Sequence, residues 1–120
     1  MDDFYNAIRK EITMIKGDTL AFNFQVQGLG GSEPTGIYFT CREKPESEAY
    51  YFQRSLAEGI TLETYEAETD TATYSVRVRP EQTENLVAGR YYYDLELAVD
   101  DDVFTLMKGR FNVDWDVTRG

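Results

Sequence analysis

Histidine is missing from this chain of 120 residues, and cysteine occurs once, at Cys41. Without an imidazole there can be no Ser-His-Asp or Cys-His pair and no histidine zinc site, and a single thiol excludes an internal disulfide and a four-cysteine cluster. Cofactors and a catalytic centre are therefore not expected. Positive charge is also scarce: twelve Lys and Arg stand against twenty-two Asp and Glu, a net charge of −10. A field of that sign repels phosphate backbones, which argues against nucleic acid as a partner. No apolar run reaches the length of a membrane-spanning helix, so no membrane partner is expected. The first ten residues, MDDFYNAIRK, are acidic and lack the apolar centre of a secretion signal, and the expectation is folding in a reducing cytoplasm.

What is present is apolar and aromatic sequence, 42% hydrophobic with nine Tyr and seven Phe. That is too rich for a disordered chain, and the length suits one domain around one core. Phe4, Tyr5 and Ile8 sit at helical spacing, with Asp2 and Asp3 before them and Arg9 and Lys10 after, so residues 1–10 read as a short arm or helix that must dock on something. From residue 11 to 120 the period is two. EITMI runs into a turn at Lys16-Gly17-Asp18, after which Leu20, Phe22, Phe24 and Val26 alternate with polar residues. GLGGSEPTG is a loop. Beyond it Ile37, Phe39 and Cys41 share a face, which makes Cys41 a small core residue rather than a nucleophile.

AYYFQRSL restarts a strand with Tyr50 and Phe52 inward. Ile60 and Leu62 mark a short strand, and Thr73 to Arg79 a longer one with Tyr74, Val76 and Val78 buried. Pro80 ends it and opens a helical turn, with Leu86 plugging the core. In AGRYYYDLEL, residues 88 to 97, Tyr91 and Tyr93 face in with Leu95 and Leu97, and Tyr92 faces out. Tyr91, two residues after a glycine, resembles the tyrosine corner of immunoglobulin-like sandwiches, and each inward hydroxyl needs a partner, expected in the preceding loop. The run Asp100 to Asp102 is a hairpin tip. Phe104 and Leu106 then mark even positions as buried, whereas Phe111, Val113, Trp115 and Val117 mark odd ones, and a β-bulge centred on Gly109 would reverse the parity. The fold class read from this pattern is all-β: a single antiparallel immunoglobulin-like β-sandwich of about seven to nine strands.

Few constellations carry chemistry. Asp100, Asp101 and Asp102 are weak candidates for calcium, because they lack the alternating ligands of a calcium loop. Asp114 and Asp116 are exposed strand acids with no cleft between them, unlike a glycosidase pair. Gly28, Gly30 and Gly31 precede no helix and no Lys-Ser pair, so they are not a phosphate loop. Tyr38, Tyr50 or Tyr51, Tyr65 and Tyr92 would form an aromatic face suited to sugar rings or to a protein interface, although tyrosine also favours strands for its own sake.

Three stretches together, IKGDTLAFNF, VRVRPEQTENLVAGRYYYDLEL and DVFTLMKGRFNVDWDVTR, resemble phage and prophage tail-fibre-associated β-sandwich domains, with the N-terminal domains of baseplate upper proteins as looser relatives. The resemblance rests on Gly17, Asp18 and Thr19; on Thr83, Leu86, Gly89, Tyr91, Tyr93 and Asp94; on Thr105, Leu106 and Gly109; and on Asp116, Val117 and Thr118. It covers both ends of the chain, roughly half of it. What it implies is a non-enzymatic structural or adaptor protein of a tail, fibre or baseplate, present in the host cytoplasm during assembly and then in the virion. Its partners would be other virion or assembly proteins, including further copies of itself. Candidate contacts are Phe4, Tyr5 and Ile8, the loop from Gly28 to Gly36, and Tyr92. The alternative is a carbohydrate-binding module for host adsorption.

Overall fold

Alternation of apolar and polar residues organises nearly every element of the computed structural model, which describes residues 8–115. Nine strands and one helical turn follow in order: β1 (Ile8–Arg9), β2 (Ile12–Ile15), β3 (Leu20–Gln27), β4 (Gly36–Arg42), β5 (Phe52–Leu56), β6 (Gly59–Glu66), β7 (Thr71–Val78), α1 (Pro80–Thr83), β8 (Gly89–Val99) and β9 (Asp102–Asp114). Phe4, Tyr5, Asp116, Val117 and Thr118 lie outside the described residues.

The strands form one curled, mixed sheet in the order β1-β9-β8-β4-β5-β6-β7-β3, with β2 continuing beside β9 after β1. The chain is all-β as expected, but it is not wholly antiparallel. β1 and β2 run parallel to β9, and β5 touches β6 in parallel through Ser55–Gly59 and Leu56–Ile60 alone. The turn at Lys16-Gly17-Asp18 forms as read, with the Asp18 amide on the Ile15 carbonyl at 3.0 Å. It closes no hairpin, because β3 leaves to pair with β7 at the far end of the sheet. Ile8, expected in an arm or helix, is already in the sheet: Ile8 and Arg9 pair with Met107 and Lys108 in the register that β2 continues.

Inward residues from both halves of the curl make one core. Ile37, Phe39, Cys41, Ile60, Val76, Val78, Leu95, Leu97 and Phe111 are completely buried. Phe22 on β3 meets Phe39 on β4 edge to face, 5.6 Å between ring centres, although three strands separate β3 from β4 along the sheet. Fully burying a large apolar side chain stabilises the fold by roughly 1.5–3 kcal/mol, so this cluster is the main force holding the curl. Cys41 belongs to it, and burial pushes its thiol up to about 12, which removes the thiolate a nucleophile needs. Leu86 is buried in the core, and α1 has proline at its first position as expected.

Four local expectations change. Only Phe52 of the Tyr50–Phe52 pair is buried, because β5 starts at Phe52 and leaves Tyr50 in the preceding turn. Strand β6 is longer than read, and its Leu62 is exposed beside a register shift against β7. The parity reversal in β9 occurs at Leu106, since Glu96 pairs with Thr105 while Leu95 pairs with Met107. Gly109 is in regular register opposite Tyr93. Its missing side chain serves another purpose: a Cβ there would lie 2.2 Å from the Lys10 carbonyl oxygen. Finally, Trp115 is exposed, because β9 ends at Asp114 before the alternation can turn the indole inward.

Candidate functional site

Strand β8 carries two buried tyrosines whose hydroxyls tie it to other parts of the chain. Tyr91 and Tyr93 are buried, as the alternation requires. The Tyr91 hydroxyl donates to the Val87 carbonyl four residues back, at 2.6 Å, the expected corner. Tyr93 finds its partner elsewhere. Facing Gly109, it reaches across β9 to donate to the Lys10 carbonyl at 2.7 Å, which pins the β1–β2 segment to the sheet. Sequence reading missed this bond because Lys10 is 83 positions away.

The opposite face of the same strands carries charge. Across the pairing, Arg42 on β4 and Arg110 on β9 both lie opposite Tyr92, Lys108 lies opposite Asp94, and Arg9 lies beside Lys108. These residues line an open cleft of about 430 Å³, floored by Tyr92 and Asp94 and bordered by Thr105 and Pro45. Four of the twelve basic side chains of this acidic protein converge here around one carboxylate. Arg42 is committed to Asp94 at 3.2 Å. Among the described residues Arg9, Lys108 and Arg110 form no salt bridge, and the Tyr92 hydroxyl has no hydrogen-bond partner. Burial raises the Asp94 carboxyl above its ordinary value, against the pull of Arg42 and Lys108. Glu96, next along the face, is raised by burial and by Asp94. Periodicity could place Tyr92 outward, but the basic surround needs the register of four strands.

A second carboxylate sits at the loop expected as a contact surface. Gly28, Gly30 and Gly31 adopt positive φ, and the amide of Gly30 donates to Asp70 Oδ2 at 2.8 Å while Tyr65 donates to Oδ1 at 2.7 Å. The Gly28 amide also donates to the Asp70 carbonyl at 3.2 Å. Such a run of backbone donors is an anion nest, and here the protein's own Asp70 fills it. Tyr65 and then Gly30 hold that carboxyl below its ordinary value.

The remaining candidates separate. Tyr51 packs on Tyr91 and donates to Glu43, Tyr65 serves Asp70, and no two of Tyr38, Tyr50, Tyr51, Tyr65 and Tyr92 form a ring pair among the described residues. Tyr38, opposite Glu96, and Tyr92, opposite Arg42, nevertheless share the outer face of β4 and β8. Asp100 to Asp102 form the β8–β9 hairpin tip, where the Asp100 amide donates to Thr35. Among the described residues no three of His, Cys, Asp and Glu are grouped to hold a metal ion.

Ile8 lies at a third place, a groove of about 760 Å³ between the two ends of the curled sheet. One wall is the outer edge of β3 from Asn23 to Gln27, the other is β1 with Leu106 and Met107. Both walls are terminal strands whose second edge has no strand partner among the described residues. No protein-family model matches the chain, and no curated protein is significantly similar to it.

Proposed function

We propose that the chain is a non-enzymatic structural or adaptor module of a tailed phage or prophage particle, built as an immunoglobulin-like sandwich and working through protein–protein contacts. The sandwich reading is supported by the strand order. β3, β7 and β6 make one half and β4, β8 and β9 the other, the first strands run parallel to the last, and Tyr91 forms the corner bond to Val87.

The observation that carries the contact function is the groove between two strand edges that have no strand partner among the described residues. An exposed edge presents unpaired N–H and C=O groups, and proteins that leave one long and apolar normally use it to take up a strand from a neighbour. Here β3 borders the groove from Asn23 to Gln27, with Phe24 and the buried Val26 in its lining, and exposed Ile8 lines the other wall. An extended segment of an adjacent copy or virion protein would satisfy both edges.

Absolute mass by light scattering, over a hundredfold range of concentration, tests this on the wild type and on Ile8→Lys. A closed oligomer that falls to monomer in the variant supports the reading, since identical subunits close by symmetry. A wild type that stays monomeric moves the test to purified particles; there Ile8→Lys is expected not to incorporate, and incorporation at the wild-type level would sink the groove as the contact.

A further inference from the structure

The cleft on the outer face of β4, β8, β9 and β1 is independent of that groove, and its composition runs against the rest of the molecule. On a chain of net charge −10, four cations and one carboxylate give the cleft a local charge of +3. Like charges are costly to gather. Arg110 and Lys108 project from the same side of β9, Arg9 stands beside Lys108, and none of the three is neutralised by a salt bridge among the described residues.

The chemistry narrows the ligand. A guanidinium presents a planar fork that matches a carboxylate, so Arg110 with Lys108 beside it provides an anion seat. A polyanion fits poorly, because Asp94 and Glu96 lie along the same face and the whole-molecule field opposes dense negative charge. Tyr92 adds a half-buried ring with an unused hydroxyl next to the seat, and Asp94 and Thr105 add hydrogen-bonding oxygens. A ligand that uses all of these carries one negative charge, an apolar ring face and several hydroxyl groups. The volume of about 430 Å³ falls within the range of small-ligand sites.

We propose that this cleft binds a sugar acid, with the carboxylate held by Arg110 and Lys108, the pyranose ring laid on Tyr92, and ring hydroxyls bonded to Asp94 and Thr105. Arg42, 3.2 Å from Asp94 Oδ2, orients that carboxyl toward the hydroxyls and pulls against the rise that burial imposes on it. Acidic peptides offer the charge without the hydroxyls, and neutral sugars the reverse.

Titration calorimetry on the full chain with glucuronate, galacturonate and N-acetylneuraminate tests the assignment, with glucose, galactose and acetate as controls. At least one acid is expected to bind, at least about tenfold tighter than any control, given the worth of a charge-assisted hydrogen bond. Arg110→Gln and Tyr92→Ala should each weaken it at least about tenfold, while Arg79→Gln, outside the cleft, should leave it unchanged. Tyr92→Leu replaces the alanine variant if circular dichroism shows that the latter loosens the sheet. Failure of all three acids to bind overturns the proposal. So does acetate binding as tightly as the sugar acids, or full retention of affinity without the Tyr92 ring, because either would leave only a general anion patch.

Discussion

Two aspartates of this molecule sit among clustered donors and end in opposite states. Asp70 receives Tyr65 on one oxygen and the Gly30 amide on the other, and its carboxyl is held below the ordinary value. Among the described residues the Asp94 side chain has one hydrogen-bonded partner, Arg42, at 3.2 Å, and burial holds its carboxyl above the ordinary value. In the first case the donors match the carboxylate and the nest is closed from within. In the second the cations outnumber the acid, and the cleft retains charge for something from outside. A cluster of donors is thus a receptor only when the chain has not already supplied the anion.

The largest effect expected is from Gly109→Ala, which strikes the cleft and spares the nest. Its Cβ would meet the Lys10 carbonyl at 2.2 Å, and that carbonyl accepts the Tyr93 hydroxyl and belongs to the backbone that carries Arg9. Backbone cannot yield as a side-chain tip does, so β1 should be pushed from β9. Overpacking of this kind costs roughly 1–3 kcal/mol. Thermal unfolding should show a Tm lower by roughly 5–15 °C. Hydrogen exchange should rise along β1 and β2 but not at Gly30; uniform acceleration would mean that the two sites are not separable.

Next in size is Asp70→Ala, the converse. It removes the two hydrogen bonds on the Asp70 carboxylate, from Gly30 and Tyr65, while leaving the Gly28 amide on the Asp70 carbonyl, with no change to the cleft. The Gly30 amide should exchange about tenfold faster or more, reporting local opening rather than global unfolding. Tyr65→Phe removes one of the two bonds and should act less strongly. Because both changes break the same network, the double variant should show less than the sum of the two.

How far the sequence reveals this contrast depends on the range of each interaction. Alternation located Phe39, Tyr91, Tyr93 and Leu95 in the core and turned Tyr92 outward, because burial along a strand follows a period that local sequence records. Pro80 and the Lys16-Gly17-Asp18 turn are likewise local. Direction of pairing is not. Nothing within residues 8–15 says that they lie parallel to β9 and not antiparallel to β3. The role of Gly109 differs from its sequence reading for that reason: a parity reversal nearby suggests a bulge, whereas the residue yields space to the Lys10 backbone between β1 and β2, 99 positions away. Both aspartates carry the same limit, since Gly30 lies 40 positions from Asp70 and Arg42 lies 52 from Asp94.

The smallest effect expected is in the pH dependence of stability, where the two carboxylates should pull in opposite directions. A carboxyl whose folded pKa is lowered contributes stability above its unfolded value and loses it as pH falls through the folded value. Asp70 should therefore favour the fold fully above the ordinary aspartate value of 3.8 and lose that contribution as pH falls from there through the lower native value. For Asp94 and Glu96 the native state binds protons more tightly than the unfolded chain, so stability should fall as pH rises from their ordinary values, 3.8 and 4.5, through the raised native ones. Urea midpoints from pH 3 to 7 would resolve the terms. Asp70→Asn should remove a loss on the acid side, whereas Asp94→Asn should flatten a decline at higher pH and also release Arg42 from its ion pair. Carboxyl-carbon chemical shifts, read residue by residue, give the decisive version of this comparison. If Asp94 titrated below 3.8, the four cations would already be fully engaged with it, and the contrast between a filled site and an open one would disappear.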